Sequence, residues 1–192
     1  MRLTRLELEN FRNIAQARLD FEGDRHFFLG MNGQGKTNVL EAIAYAQGLE
    51  SFRTKKREPL ILTGKPEAVI RSHWRHEKRS ETVLGVSIVA DRRQAVLDGE
   101  AVKTLTEITG AFPVVALTLA DRELLYGGPE ARRGEIDRLI IQIDPGYHQA
   151  LNDYDKANKS RNQLLSRTEI PPKPEEFEAF ESVMATTARR II

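Results

Sequence analysis

Gly30-Met31-Asn32-Gly33-Gln34-Gly35-Lys36-Thr37 fits G-x-x-x-x-G-K-[S/T] without a mismatch. Ahead of it, Phe27-Phe28-Leu29 reads as a short buried strand. Behind it, Val39, Leu40, Ile43, Ala44 and Ala46 give a helix one apolar face that stops at Gly48. Strand, glycine loop and helix in that order turn the pattern into a phosphate-binding loop. Gly30, Gly33 and Gly35 let the backbone close a ring of N–H donors on phosphate oxygens. The helix N-terminus adds unpaired donors and its positive dipole end. Lys36 can reach terminal phosphates as a point charge, and the Thr37 hydroxyl is placed to ligate Mg²⁺. The expected ligand is a nucleoside triphosphate.

Composition sets the frame around that loop. A chain of 192 residues with 40% hydrophobic and 30% charged side chains is long enough for one domain with a real core, or a domain with an appendage. A net charge of +1 demands no nucleic-acid or membrane partner globally, so any such site is a local patch. The absence of cysteine excludes a disulfide scaffold and thiolate-ligated metals, and suits a reducing cytosol. Met1-Arg2-Leu3-Thr4-Arg5-Leu6-Glu7 has no apolar signal core, and no run reaches membrane-spanning length. A cytoplasmic location without membrane contact is expected.

The first half reads as β-rich. Leu6-Glu7-Leu8-Glu9 opens one alternating strand, and Ala15, Ala17, Leu19 and Phe21 mark a second. Residues 68–74 and 82–90 make two more, joined by the charged turn His76-Glu77-Lys78-Arg79. Gln94 to Leu97 meets the hairpin pair Asp98-Gly99 before Ala101-Val102. Thr104-x-x-Glu107 is a capping box for a short helix ending at Gly110, and Pro113 to Leu119 reads as a buried central strand.

From Gly128-Pro129 the pattern becomes helical. Ile136, Leu139, Ile140 and Ile143 form a stripe ending at Asp144-Pro145. Tyr147, Leu151, Tyr154, Asn158, Arg161 and Leu165 then form a heptad-like seam. Ile170-Pro171-Pro172-Lys173-Pro174 makes a stiff turn, and Phe177, Phe180, Met184, Ala188 and Ile191 face one side of a further helix. A nucleotide-binding head over residues 1–140, followed by an incomplete helical arm over 141–192, is the expected organisation.

A P-loop hydrolase also needs a strand-end acid for Mg²⁺. The downstream candidate is Asp121, which serves equally as an N-cap. No guanine-reading Asn-Lys-x-Asp occurs, since Asn158-Lys159-Ser160-Arg161 lacks the acid, so a GTPase is not expected.

Further stretches carry a resemblance. They are Leu8-Glu9-Asn10-Phe11-Arg12-Asn13, the run from Gly30 to Ile43, Ser51-Phe52-Arg53-Thr54, Gly127-Gly128-Pro129-Glu130-Ala131-Arg132-Arg133 and Arg161-Asn162-Gln163-Leu164-Leu165. In this order they resemble the N-terminal part of the RecF family, ABC-type ATPases allied to Rad50 and the SMC proteins. One departure is Thr118-Leu119-Ala120-Asp121, where the family usually has Ser/Thr-Pro-Glu/Asp.

The resemblance implies an α/β fold, the N-terminal lobe of a P-loop ABC-type ATPase head. A mixed sheet with antiparallel strands would be followed by the start of a helical hairpin arm. It implies ATP and Mg²⁺ held by Gly30, Met31, Asn32, Gly33, Gln34, Gly35, Lys36, Thr37 and Asn38, with Arg12, and less firmly Asn13, near the nucleotide. It further implies an ATP-dependent homodimer on double-stranded DNA near single-strand gaps. Mediator partners such as RecR, and a role in replication, repair and the SOS response, belong to the same expectation. Family members are about twice as long, with the signature motif and Walker B acids in the other half. The chain is therefore expected to be a fragment or truncated product, with weak nucleotide binding or none, and no turnover by itself.

A short charge run is usually a solvated loop, and against that reading Arg53, Lys55, Lys56 and Arg57 are candidate DNA contacts. Trp74 reads as core, His73 and His76 as surface, and Arg132 and Arg133 as partners for nearby acids or for the second lobe. Two other functions stand beside the first. One is a P-loop kinase for a small metabolite. The other is a non-catalytic scaffold with a vestigial P-loop.

Overall fold

Alternation of Leu6 and Leu8 with Glu7 and Glu9 folds Arg2–Phe11 into β1, which turns at Arg12-Asn13 into β2 (Ile14–Asp20). The computed structural model describes residues 1–76, 81–109, 111–122, 126–166 and 173–191. Strands β3 (Ala68–Arg75), β4 (Thr82–Ile88), β5 (Arg93–Leu97) and β6 (Glu100–Ala101) complete a six-stranded sheet of order β2-β1-β3-β4-β5-β6. Every pairing is antiparallel, so the mixed sheet expected from sequence is corrected to an antiparallel one among the described residues. Asp98 (φ 49°) and Gly99 (φ 91°) supply the two left-handed positions that a tight β5–β6 hairpin turn needs.

The period of two decides which face is buried. Leu6 and Leu8 of β1, Ala68, Ile70 and Trp74 of β3, and Leu84, Val86 and Ile88 of β4 all point to one side. Helix α1 (Lys36–Gly48) packs there through Val39, Ala42, Tyr45 and Ala46. The short helix α2 (Leu105–Thr109) and Phe112 close the same core, with Phe112 tilted against Trp74 at 5.5 Å. The capping box forms as its residues dictate, the Thr104 N–H donating to the Glu107 carboxylate at 3.1 Å.

Two expected strands do not form. Residues 27–29 and 113–118 adopt no regular secondary structure, and Phe27, Leu29, Val115, Leu117 and Leu119 are exposed. An extended run becomes a strand only when a neighbour takes its N–H and C=O groups, and none of the sheet's pairings includes these residues. The α1 face is also rotated from the expected one. Leu40 is half exposed, while Ala42 and Tyr45 are buried in its place.

The chain divides into two compact units, Met1–Asp121 and Arg122–Ile192. The second holds α3 (Pro129–Ile143), α4 (Pro145–Leu165) and α5 (Pro174–Ile191), each with Pro at its start. Ile136, Leu139 and Ile143 of the α3 stripe are exposed. The α4 seam is corrected to Tyr147, Ala150, Ala157 and Leu164, with Leu165 exposed. On α5, Phe177, Phe180, Met184, Thr187, Ala188 and Ile191 are partly buried. The Tyr147 hydroxyl donates to Asp137 at 2.6 Å, and burial with that carboxylate pushes the phenol up to about 12. The turns expected at 77–79 and 170–172 and the helix stop at Gly110 lie outside the described residues.

Asp144 ends α3 and caps α4. Its carboxylate accepts from the Gly146 N–H at 2.9 Å and from Arg190 of α5 at 2.9 Å. The Arg190 bond first, then the Gly146 N–H, hold its pKa below the ordinary aspartate value. A depressed folded pKa contributes stability that is whole above the unfolded value and is lost as pH falls through the folded one. Helix content followed by circular dichroism should therefore fall as pH drops below the ordinary aspartate range. Asp144→Asn should shrink that acid-dependent change while keeping a capping side chain.

Candidate functional site

The glycine loop departs from ordinary backbone at three positions. Gly30, Gly33 and Gly35 have φ of 150°, 84° and 90°, all in the region that favours glycine. Gly35 is also constrained by contact, because a Cβ there would lie 3.1 Å from Asn13 Oδ1. Gly35→Ala should lower stability by about 1–2 kcal/mol, mainly from the left-handed backbone, in a urea titration. The N-cap of α1 is that glycine, with no side chain bonded to the first helical amides.

Lys36 curls over the loop, its Nζ donating to Gly30 O at 2.6 Å and Met31 O at 2.7 Å. Its ammonium thus sits at the loop that the amides surround. Thr37 is exposed on the first turn of α1. Gly30 and Gly33 with open space where a Cβ would stand, a helix N-terminus with no side-chain cap and a lysine held over the loop fit a polyphosphate, and the Thr37 hydroxyl is the oxygen ligand at hand for a Mg²⁺ bound with it.

A polar chain runs away from the loop. Asn13 Nδ2 donates to Gly33 O (2.9 Å), Asn38 Nδ2 to Asn13 Oδ1 (2.7 Å), and Arg53 Nη1 to Asn38 Oδ1 (2.8 Å). It ends at Glu41, a carboxylate with no exposed surface, which receives Arg12 Nε at 2.9 Å and Arg12 Nη2 at 2.5 Å. Arg12 Nη1 donates further to Pro59 O at 2.8 Å. Arg12 itself holds a left-handed φ of 57°, a cost of about 1–2 kcal/mol that this bidentate pair offsets. Arg12, Asn13, Asn38, Arg53, Glu58 and Lys65 are among the residues lining an open pocket of about 760 Å³.

The basic run is not a uniform patch. Arg53 turns inward to Asn38 and Glu41, and Arg57 is partly buried with Nη1 on Asp91 O at 3.2 Å. Lys55 and Lys56 are exposed. Asp121 accepts from the Thr118 N–H within a short 3₁₀ turn, a local capping role. Trp74 is core as expected. His73 is not a plain surface residue, being partly buried between Glu7 (3.9 Å) and Glu81 (3.8 Å). Arg132 and Arg133 are exposed, with no ion pair to a described residue. The residue that sequence reading missed is Glu41. Its signal was an acid flanked by Ala42 and Tyr45 on the buried face of the P-loop helix.

Fold and loop together define a P-loop lobe built on an antiparallel sheet, of the type found in SMC and RecF heads. The sequence profile described as RecF/RecN/SMC N terminal domain matches residues 2–131. The chain belongs to that family.

Among its relatives, the DNA replication and repair protein RecF of Leptospira interrogans serogroup Icterohaemorrhagiae serovar Lai (strain 56601) is 38% identical over 168 residues. That match covers 86% of this chain and 46% of the relative. RecF of Myxococcus xanthus (strain DK1622) is 33% identical over 191 residues, covering 100% of this chain and 50% of the relative. The chain spans about half the length of the curated relatives it matches. The solved structure described as the recombination mediator protein RecF-ATPrS in the RecFOR pathway superposes with a TM-score of 0.89 at 29% identity, covering 99% of this chain and 52% of that one. An SMC ATPase structure at 22% identity and a TM-score of 0.58 shares the fold. No helix among the described residues is long and apolar enough to cross a membrane.

Proposed function

We propose that this chain is the nucleotide-binding N-terminal half of a cytoplasmic, RecF-like recombination mediator. Residues Gly30 to Asn38 cradle the phosphates of ATP, Thr37 holds Mg²⁺, and Arg12 stands beside the nucleotide. The carrying observation is the glycine loop itself. It joins three left-handed glycines, an uncapped helix N-terminus and Lys36 folded over its own carbonyls. Family membership and likeness to RecF structures described with ATP support the choice of nucleotide.

The whole protein would dimerise on ATP and bind double-stranded DNA near single-strand gaps, with mediator partners such as RecR. On this chain the exposed Lys55 and Lys56 are better placed for DNA phosphates than the engaged Arg53 and Arg57. A head over 1–140 with an arm from 141 remains our reading of its organisation. Phe27, Leu29, Val115, Leu117 and Leu119 are exposed apolar residues of the kind that mark interaction surfaces.

Titration calorimetry with ATP and Mg²⁺ tests this reading. Weak saturable binding without turnover, with or without DNA, is expected. Phosphate transfer to a small acceptor, or no heat from any nucleotide, would overturn it.

A further inference from the structure

The β1–β2 turn reaches the glycine loop through the side chain of Asn13, which is committed at both ends. Its Nδ2 donates to Gly33 O at 2.9 Å, and its Oδ1 accepts from Asn38 Nδ2 at 2.7 Å. Gly35 lies against the same oxygen, where a Cβ would stand 3.1 Å away and would also meet Ile14 Cγ1 at 3.4 Å. The turn itself is held from behind. Arg12 is left-handed (φ 57°), its backbone N–H donates to Leu60 O at 2.8 Å, and its guanidinium grips Glu41. Two side chains thus hold carbonyls of the loop, and they differ in what a ligand does to them. Lys36 bonds Gly30 O and Met31 O with an ammonium that a phosphate would claim. Asn13 carries no charge for a phosphate to draw away.

We propose that Asn13 is a positioning residue for the phosphate site, a brace that sets the shape of the glycine loop without itself holding the nucleotide. A trans peptide unit is planar, with its C=O and N–H pointing opposite ways. Fixing Gly33 O on Asn13 therefore turns the Gln34 N–H away from the β1–β2 turn. A loop with glycine at 30, 33 and 35 has many backbone states open to it. Holding one of them beforehand removes an ordering cost that phosphate binding would otherwise carry. Asparagine fits the place because one amide supplies both a donor for Gly33 O and an acceptor for Asn38. Aspartate would set a carboxylate against the Gly33 carbonyl. The phosphate part of this proposal rests on the ATP reading above. The brace part does not.

Asn13→Ala tests both parts, and because Asn13 is exposed the fold should survive the change. Without nucleotide, NMR relaxation should give the Gln34 and Gly35 amides order parameters of about 0.85 in wild type and below about 0.6 in the variant. The amides of β3 and β4 should be alike in both proteins. Calorimetry should show Mg²⁺ with ATP and Mg²⁺ with inorganic tripolyphosphate each binding the variant about tenfold more weakly, by the same factor. A wild-type loop that is already mobile, or a variant loop that stays rigid, would overturn the brace. A loss confined to ATP would make Asn13 a contact of base or sugar, and would overturn it as well. Unchanged affinity for both ligands in a loosened loop would overturn the phosphate part. A wild-type chain that binds neither ligand would sink the function proposed above, while the order parameters would still decide the brace.

Discussion

Glu41→Ala is expected to cost about 3–5 kcal/mol of folding stability, because it strands the guanidinium of Arg12 in a site built around a carboxylate. Arg12 is only 13% exposed and Glu41 not at all, so water cannot replace the lost partner as it would on the surface. Against a total stability of about 5–15 kcal/mol for a domain, that loss leaves the Met1–Asp121 unit marginal. The left-handed backbone at Arg12 adds to it, since the turn is then strained with nothing to hold it. Urea denaturation should show the midpoint falling. The double variant Arg12→Ala/Glu41→Ala should lose clearly less than the sum of the two single variants, as coupled partners do. Additive losses would mean that the two side chains act separately.

Lys36→Ala is expected to weaken ATP binding by about 100-fold, near 3 kcal/mol, the scale of losing charge-assisted bonds to phosphate. Its stability should change by no more than about 0.5 kcal/mol, because Lys36 bonds only the exposed carbonyls of Gly30 and Met31. This separation of affinity from stability distinguishes a working loop from a vestigial one. Equal ATP affinities in wild type and variant would leave only a scaffold role for the lobe.

What could be read from the sequence follows how local each interaction is. The glycine loop, the Asp98-Gly99 hairpin, the Thr104/Glu107 capping box and the alternation of β1, β3 and β4 are settled by residues within a few positions of one another. Phe27 to Leu29 and Pro113 to Leu119 are as apolar as any strand here, but their pairing depends on residues elsewhere. Apolarity alone could not say whether a neighbour was present. The α1 face turned for a similar reason. Tyr45 and Ala42 fit under the sheet better than Leu40, a matter of shape that periodicity does not carry. In α4, Ala150 and Ala157 displaced Leu151 and Leu165 from the seam, because small residues permit a closer helix. Glu41 was hidden by a general expectation, since a lone acid on a helix usually faces water. Only the fold brings Arg12, 29 positions earlier, against it.

The most direct test is a crystal structure of this chain with a non-hydrolysable ATP analogue and Mg²⁺. The account predicts triphosphate oxygens on the amides between Gly33 and Thr37, with the Lys36 ammonium moved off Gly30 O and Met31 O onto phosphate. Nucleotide bound elsewhere, or a lysine still on those two carbonyls beneath a bound triphosphate, would contradict it.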